Sequence, residues 1–305
     1  MHLTTVSRSL SHSAVQSWII VTAACGCLVA CGGGGSSAAN QAPVASATLN
    51  GEAVLNAATI FDTSGSKDPD GSIASRSWSY GDGQTGSSDS HIYASTGSFT
   101  ATLTVTDNSG STASTSVALT VKKCSAAGTQ AATLSPFTTL CVQTSRGEMV
   151  FEVFVAQAPI TAANFLRYVD DGFYSGLLVH RVIPGFVIQT GGYLPSLVPR
   201  AATHPAIALE SNNGLKNWRY TLAMARTSAP NSATSQFYVN LVDNPALDYN
   251  STQASPNGYA VFGQVISGTS VMDAIGNVAT TSVAAAGLTD VPVQDVLIQS
   301  VVRMP

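Results

Sequence analysis

In the run 179–192, V-H-R-V-I-P-G-F-V-I-Q-T-G-G, an arginine, Arg181, stands among apolar residues. The chain then turns at Pro184-Gly185, and Phe186, Val187 and Ile188 lead back to an amide, Gln189. A half-buried guanidinium needs partners to offset its desolvation. Aimed at a planar amide nitrogen, its donors would draw the nitrogen lone pair out of resonance, a chemistry that breaks no bond and requires no nucleophile, nucleotide or metal. Whether Arg181 and Gln189 share a face depends on the turn between them. A two-residue loop at Pro184-Gly185 would pair Arg181 with Ile188 and send Gln189 to the opposite face, whereas a three-residue loop, Pro184 to Phe186, pairs Arg181 with Gln189. A shared site requires the wider turn or an equivalent bulge, which is the expectation. His180, next to Arg181 on the same strand, is expected on the opposite face in a structural role.

Other chemistries find little support. The histidines make no cluster, no Cys/His spacing suggests zinc, and no G-x-S-x-G elbow supports a hydrolase. Gly81-Asp82-Gly83-Gln84-Thr85-Gly86 matches G-x-G-x-x-G, yet no helical pattern follows, so it reads as a turn and not a dinucleotide site. Asp68 and Asp70 sit in the turn cluster Asp68-Pro69-Asp70-Gly71, without the spaced acids and closing Glu of a calcium loop. A formal net charge of -4 over 305 residues, with no local Lys/Arg cluster, leaves no footprint for nucleic acid. No metal and no cofactor is expected.

The elements that position these residues lie in a chain whose composition shifts twice, which favours two modules behind a leader. Charged residues make up 10% of it, against roughly 25% in ordinary soluble domains, and Ser, Thr, Ala and Gly replace them. That is the look of an exported protein. Residues 1–30 read as an export signal, with Arg8 followed by an apolar run that Gly and Ser break before it could span a bilayer. Leu28-Val29-Ala30-Cys31 resembles the lipobox of bacterial lipoproteins, which implies cleavage before Cys31 and acylation of that cysteine. With Gly32 and not Asp following, the pattern implies an outer-membrane anchor facing the periplasm. Residues 31–41, opened by the tract Gly32 to Ser37, would be a flexible linker. Cys25 and Cys27 leave with the signal. Cys124 and Cys141 remain in an oxidising compartment, where either a disulfide or two free thiols fits the sequence, and the disulfide is the expectation.

Residues 42–122 alternate short strands with turn signals. Phe99, Ala101, Leu103 and Val105 interleave with threonines, as in a strand with one dry face. Residues 123–137 read as a small-residue linker. In 138–305, apolar runs at 140–144 and 148–155 flank Ser145-Arg146-Gly147 and predict a hairpin. Pro159 and Thr161 open a helix with Phe165, Tyr168 and Val169 on one face, and Gly172 ends it. A second short helix is expected at 270–275, with strands at 222–225, 237–241, 259–265 and 296–302. The fold class is therefore mainly β, a sandwich followed by a closed antiparallel barrel capped by two helices.

Two resemblances sharpen this. Phe61-Asp62-Thr63-Ser64-Gly65-Ser66, Asp68-Pro69-Asp70-Gly71, Trp78-Ser79-Tyr80-Gly81-Asp82-Gly83, His91, Tyr93, Gly97 and Val105-Thr106-Asp107 resemble a PKD domain. The resemblance implies an immunoglobulin-like spacer or binding module. Phe173-Tyr174, His180-Arg181-Val182-Ile183-Pro184-Gly185-Phe186, Gln189-Thr190-Gly191-Gly192, Leu222-Ala223-Met224-Ala225-Arg226, Ser232-Ala233-Thr234-Ser235-Gln236-Phe237-Tyr238 and Tyr259-Ala260-Val261-Phe262-Gly263 resemble the cyclophilin-type peptidyl-prolyl isomerases, the periplasmic bacterial branch most. By that resemblance Arg181 is the catalytic arginine, Phe186 an apolar wall acting with it, and Gln189 the glutamine that supports the arginine and the substrate backbone. Val187, Ala225, Gln236, Tyr238, Leu247 and Tyr259 match substrate-pocket positions. Ala246 departs from the family, standing where relatives carry a large aromatic, and Tyr259 replaces a histidine common in eukaryotic members. The resemblance implies a monomer acting on proline-containing unfolded or exported polypeptides from the cell envelope. The alternative is an envelope-anchored adhesion protein that grips proline segments without turnover. The joint presence of Arg181 and Gln189 favours the enzyme.

Overall fold

Strict alternation in the run that ends at Asp107 builds the spine of the first domain. The computed structural model describes residues 39–253 and 257–305, so the expected signal at 1–30, Cys31 and most of the expected tether lie outside the described residues. Strands β1 (Thr48–Asn50), β2 (Ala58–Asp62), β3 (Ile73–Ser79), β4 (Thr85–Gly86), β5 (Ser90–Ile92), β6 (Gly97–Asp107) and β7 (Thr112–Val121) form two antiparallel sheets, ordered β1-β2-β5 and β4-β3-β6-β7. Ala101, Leu103 and Val105 of β6 are fully buried, while Thr102 and Thr104 bond to Ser116 and Ser114 of β7 on the other face. Phe61 and Trp78 pack at 4.6 Å in the core, and the Trp78 indole is satisfied by Asp89. The glycine-rich run 81–86 is the turn from β3 into β4; Gly81, at φ +84, lies where a Cβ would sit 2.5 Å from the Thr100 carbonyl oxygen.

The segment 123–137, expected as a linker, contains a helix, α1 (Ala126–Leu134). Ser125 caps it, its hydroxyl oxygen accepting from the Gly128 amide. Glu148 accepts from the Ser125 amide and hydroxyl, Glu152 from the Ser135 hydroxyl, and Glu52 of the first domain from the Ala126 amide. A disulfide joins Cys124 to Cys141 across a Cα separation of 5.8 Å. Gly128 fits under it because a Cβ there would lie 2.5 Å from the Cys124 sulfur.

The second domain continues with β8 (Thr138–Thr144), β9 (Gly147–Val153), α2 (Pro159–Asp170), β10 (Val179–Ile183), β11 (Val187–Thr190), β12 (Tyr193–Leu194) and β13 (Val198–Pro199). It ends with β14 (Thr221–Met224), β15 (Phe237–Asn240), β16 (Val261–Ser267), α3 (Thr269–Gly276), β17 (Thr280–Val283), β18 (Leu288–Pro292) and β19 (Ile298–Arg303). One strongly curled eight-stranded antiparallel sheet, ordered β10-β11-β15-β14-β16-β9-β8-β19, wraps the core. The closed barrel expected from the sequence is not formed. β10 and β19 share no ladder, and the two edges meet through the Leu178–Leu297 bridge and flanking bonds such as Val179 N–H to Val296 O. Among the described residues there are three α-helices where two were expected, the extra one being α1.

Periodicity places the helices as the sequence suggested. Phe165, Tyr168 and Val169 of α2 and Met272 and Ile275 of α3 are buried in the core. The α2 N-terminus is capped from a distance, Glu210 accepting from the amides of Ile160 and Thr161. No helix among the described residues is long and apolar enough to cross a membrane.

Candidate active site

Ile183 pairs with Val187, so Pro184, Gly185 and Phe186 form the loop and Arg181 stands opposite Gln189. The wider turn is therefore the one adopted, with Gly185 at φ +70. The ladder carries the row onward. Gln189 pairs with Tyr238, Tyr238 with Ala223, and Ala223 with Val261. Because side chains alternate, this row shares the outer face of the sheet, while Val182, Ile188 and Val239 point into the core.

On that outer face Val187, Ala223, Tyr238 and Val261 form a second, smaller apolar cluster, with Phe186, Ala225, Leu247 and Tyr259 packed against it. Above it opens a cavity of about 200 Å³ lined by Arg181, Phe186, Val187, Gln189, Ala225, Arg226, Tyr238, Leu247 and Tyr259. This is below the roughly 300–1,000 Å³ of drug-sized sites and suits one small ring with its flanking backbone. Gln236 lies in an adjoining cavity of about 180 Å³, which shares Gln189, Ala225 and Arg226. The structure thus brings together every residue that the sequence placed at the site. Ala246 is exposed on the turn before Leu247 and lines neither cavity.

The walls are fixed by hydrogen bonds. The Phe186 carbonyl accepts from the Leu241 amide and the Asn244 side chain, and the Leu247 carbonyl from the Tyr259 amide. The Tyr238 hydroxyl donates to Asn217 Oδ1 at 2.8 Å, and burial holds its proton well above the usual phenol range, so the ring serves as a neutral floor. Gln189 Nε2 donates to Gln236 Oε1 at 2.9 Å. Gly192 makes room for Gln236, since a Cβ there would lie 2.6 Å from its Nε2.

Two charged groups at the site were not among the candidates read from sequence. Asp290, in the β17–β18 hairpin, sets a carboxylate oxygen 3.6 Å from Arg181 Nε. Nothing local marks it. Arg226 was visible in the run Leu222–Arg226 but had no assigned role; in the structure it lines both cavities. His180 also differs from expectation. A bulge between Val179 and Arg181 interrupts the alternation, and the buried His180 ring packs 4.7 Å from Tyr193 and beside the Gln236 side chain. Burial first, then the Arg181 charge, pulls its pKa down to about 4. Among the described residues, the group of His, Cys, Asp and Glu close enough to share an ion is Cys124, Cys141 and Glu148, and its two sulfurs are bonded to each other.

The family model described as cyclophilin type peptidyl-prolyl cis-trans isomerase/CLD matches residues 139–303. The chain belongs to the cyclophilin-type peptidyl-prolyl cis-trans isomerases. A PKD domain model matches residues 40–122. Across the cyclophilin region the chain is 48% identical to peptidyl-prolyl cis-trans isomerase B of Escherichia coli (strain K12) over 159 residues, 52% of this chain and 94% of that protein. It is likewise 48% identical to peptidyl-prolyl cis-trans isomerase cyp18 of Streptomyces antibioticus over 162 residues, 53% of this chain and 96% of the relative. A solved cyclophilin type isomerase from Cryptosporidium parvum overlays 55% of this chain and 99% of its own at a TM-score of 0.47 and 26% identity.

Proposed function

We propose that this cyclophilin-type isomerase seats a prolyl ring on the floor of Tyr238, Phe186 and Leu247 with Arg181 directed at the imide nitrogen. The observation that carries the reading is the cross-strand row Arg181, Gln189, Tyr238 over an apolar cluster on the outside of the sheet. Amide resonance sets a barrier of about 18 to 20 kcal/mol, and unassisted X-Pro exchange takes tens to hundreds of seconds. A guanidinium hydrogen bond made mainly in the twisted state withdraws the nitrogen lone pair from resonance and lowers that barrier, each tenfold corresponding to about 1.4 kcal/mol. In this reading Gln189 holds the substrate backbone, and its hydrogen bond to Gln236 supports that role.

The same reading sets the enzyme on the cell envelope, anchored to the outer membrane by lipid on Cys31, with the PKD domain as spacer and exported polypeptides as substrates. The run Leu28 to Cys31, the Gly/Ser tract after it, and the disulfide Cys124–Cys141 support this. Exchange spectroscopy on an X-Pro peptide tests the pocket, with cis and trans resonances broadening under catalytic amounts of protein. Labelling with a radioactive fatty acid tests the anchor. Label on the wild type and none on Cys31→Ser is the expected result, and equal labelling or none on either would refute it.

A further inference from the structure

Arg226 stands on the wall shared by the two adjoining cavities, between the residues around Arg181 and those around Gln236. Its guanidinium is fixed without an acid. Nε donates to the Gly258 carbonyl at 3.0 Å, Nη1 to the Thr227 carbonyl at 3.0 Å, and the group stacks 4.6 Å above the Tyr259 ring. Nη2 donates to no group of the protein among the described residues. Every Asp and Glu of the chain lies among the described residues, and none reaches ion-pair distance of Arg226.

The neighbouring charges are matched. Arg181 has Asp290 at 3.6 Å. Asp248, which acts on Tyr238 together with Arg226, is occupied by Lys216 at 3.6 Å and by both nitrogens of Asn217. Two backbone carbonyls and a stacked ring therefore hold an uncompensated planar cation on the wall that the two cavities share. A guanidinium so placed is preorganised to receive a carboxylate, and it loses little side-chain freedom in doing so.

We infer that Arg226 makes the enzyme select proline segments that carry an acidic side chain beside the proline. The inference rests on the isomerase reading of the pocket and names its preferred substrate class. A partly exposed ion pair of this kind is worth about three- to five-fold in kcat/KM, and it weakens as salt shortens the Debye length from about 30 Å at 0.01 M to about 3 Å at 1 M.

The test uses the whole protein and proline peptides that differ only in having Glu, Ala or Lys on either side of the X-Pro bond. At low salt kcat/KM should rank Glu above Ala above Lys, with the Glu/Ala ratio about three to five, and the ratio should fall toward about 1 in 1 M salt. Arg226→Gln should bring the ratio to about 1, and Arg226→Lys should keep part of it. Equal rates for Glu and Lys peptides, or a Glu preference that survives Arg226→Gln, would overturn the inference while leaving the isomerase intact. Absence of turnover on every peptide would remove the isomerase reading, and this inference with it. If Arg226→Gln does not fold, Arg226→Lys carries the test, and a Glu/Ala ratio as large as that of the wild type would then overturn the inference.

Discussion

Asp290 holds its carboxylate 3.6 Å from Arg181 Nε, and it does so from a backbone position at φ +59 that non-glycine residues seldom adopt. Both side chains are more than a third exposed, so the pair contributes little to stability, about 0 to 1 kcal/mol before screening. The carboxylate lies on the Nε side of the guanidinium, where its charge bears on how that group is directed. We therefore expect Asp290→Asn to lower kcat/KM for an X-Pro peptide by about two- to five-fold with little change in Tm. An unchanged kcat/KM would remove Asp290 from the site.

Burial of neutral His180 ties stability to pH. Its folded pKa, about 4, lies below the ordinary value of 6.5, so above pH 6.5 both states are neutral and native stability is intact. As pH falls from 6.5 toward 4 the unfolded chain gains a proton that the folded chain refuses, and stability drops by about 3 kcal/mol. Urea unfolding between pH 7 and 4 should show this loss in the wild type and a flatter profile in His180→Gln. Parallel profiles would contradict it.

Both Asp68 carboxylate oxygens are shut off from solvent. Burial raises its pKa, the Asp70 and Asp107 charges add to this, and the Asp70 amide opposes it. A carboxyl whose folded pKa is raised destabilises the fold once ionised, so stability should improve as pH falls through that pKa. In chelator-containing buffer at pH 7, Asp68→Asn should raise the unfolding temperature of the first domain. A lower unfolding temperature would show that the charge is used.

The disulfide Cys124–Cys141 closes a span of 17 residues that includes α1. Its removal by Cys124→Ser with Cys141→Ser should cost about 2 to 4 kcal/mol of unfolding free energy, mainly by freeing the unfolded chain. Calorimetry of the double variant against the oxidised wild type measures this, and coincident transitions would exclude it.

The register of the β10–β11 hairpin was legible because, with a period of two, a face shared by Arg181 and Gln189 calls for the three-residue loop or an equivalent bulge, and the loop is what forms. The buried faces of β6 and α2 were legible for the same reason, a strict period in Ala101, Leu103 and Val105 or in Phe165, Tyr168 and Val169. What escaped depends on groups distant in sequence. The α1 segment has little amphipathic character of its own and is held by Glu52, Glu148 and Glu152. Asp290 reaches Arg181 only once the β17–β18 hairpin folds against β10, and the bulge that redirects His180 leaves no mark in the residue pattern. Closure of the sheet was overestimated because strand count does not say whether the two edges can form a ladder.

On the proposed reading, Arg181 lowers the barrier to X-Pro rotation. A protease-coupled assay, in which only the trans peptide is cleaved, measures it in the whole protein and in Arg181→Ala. The wild type should abolish the slow phase that uncatalysed isomerisation imposes, and Arg181→Ala should lose about a hundredfold in kcat/KM while keeping its fold. Equal turnover by the two proteins would rule out that role for Arg181.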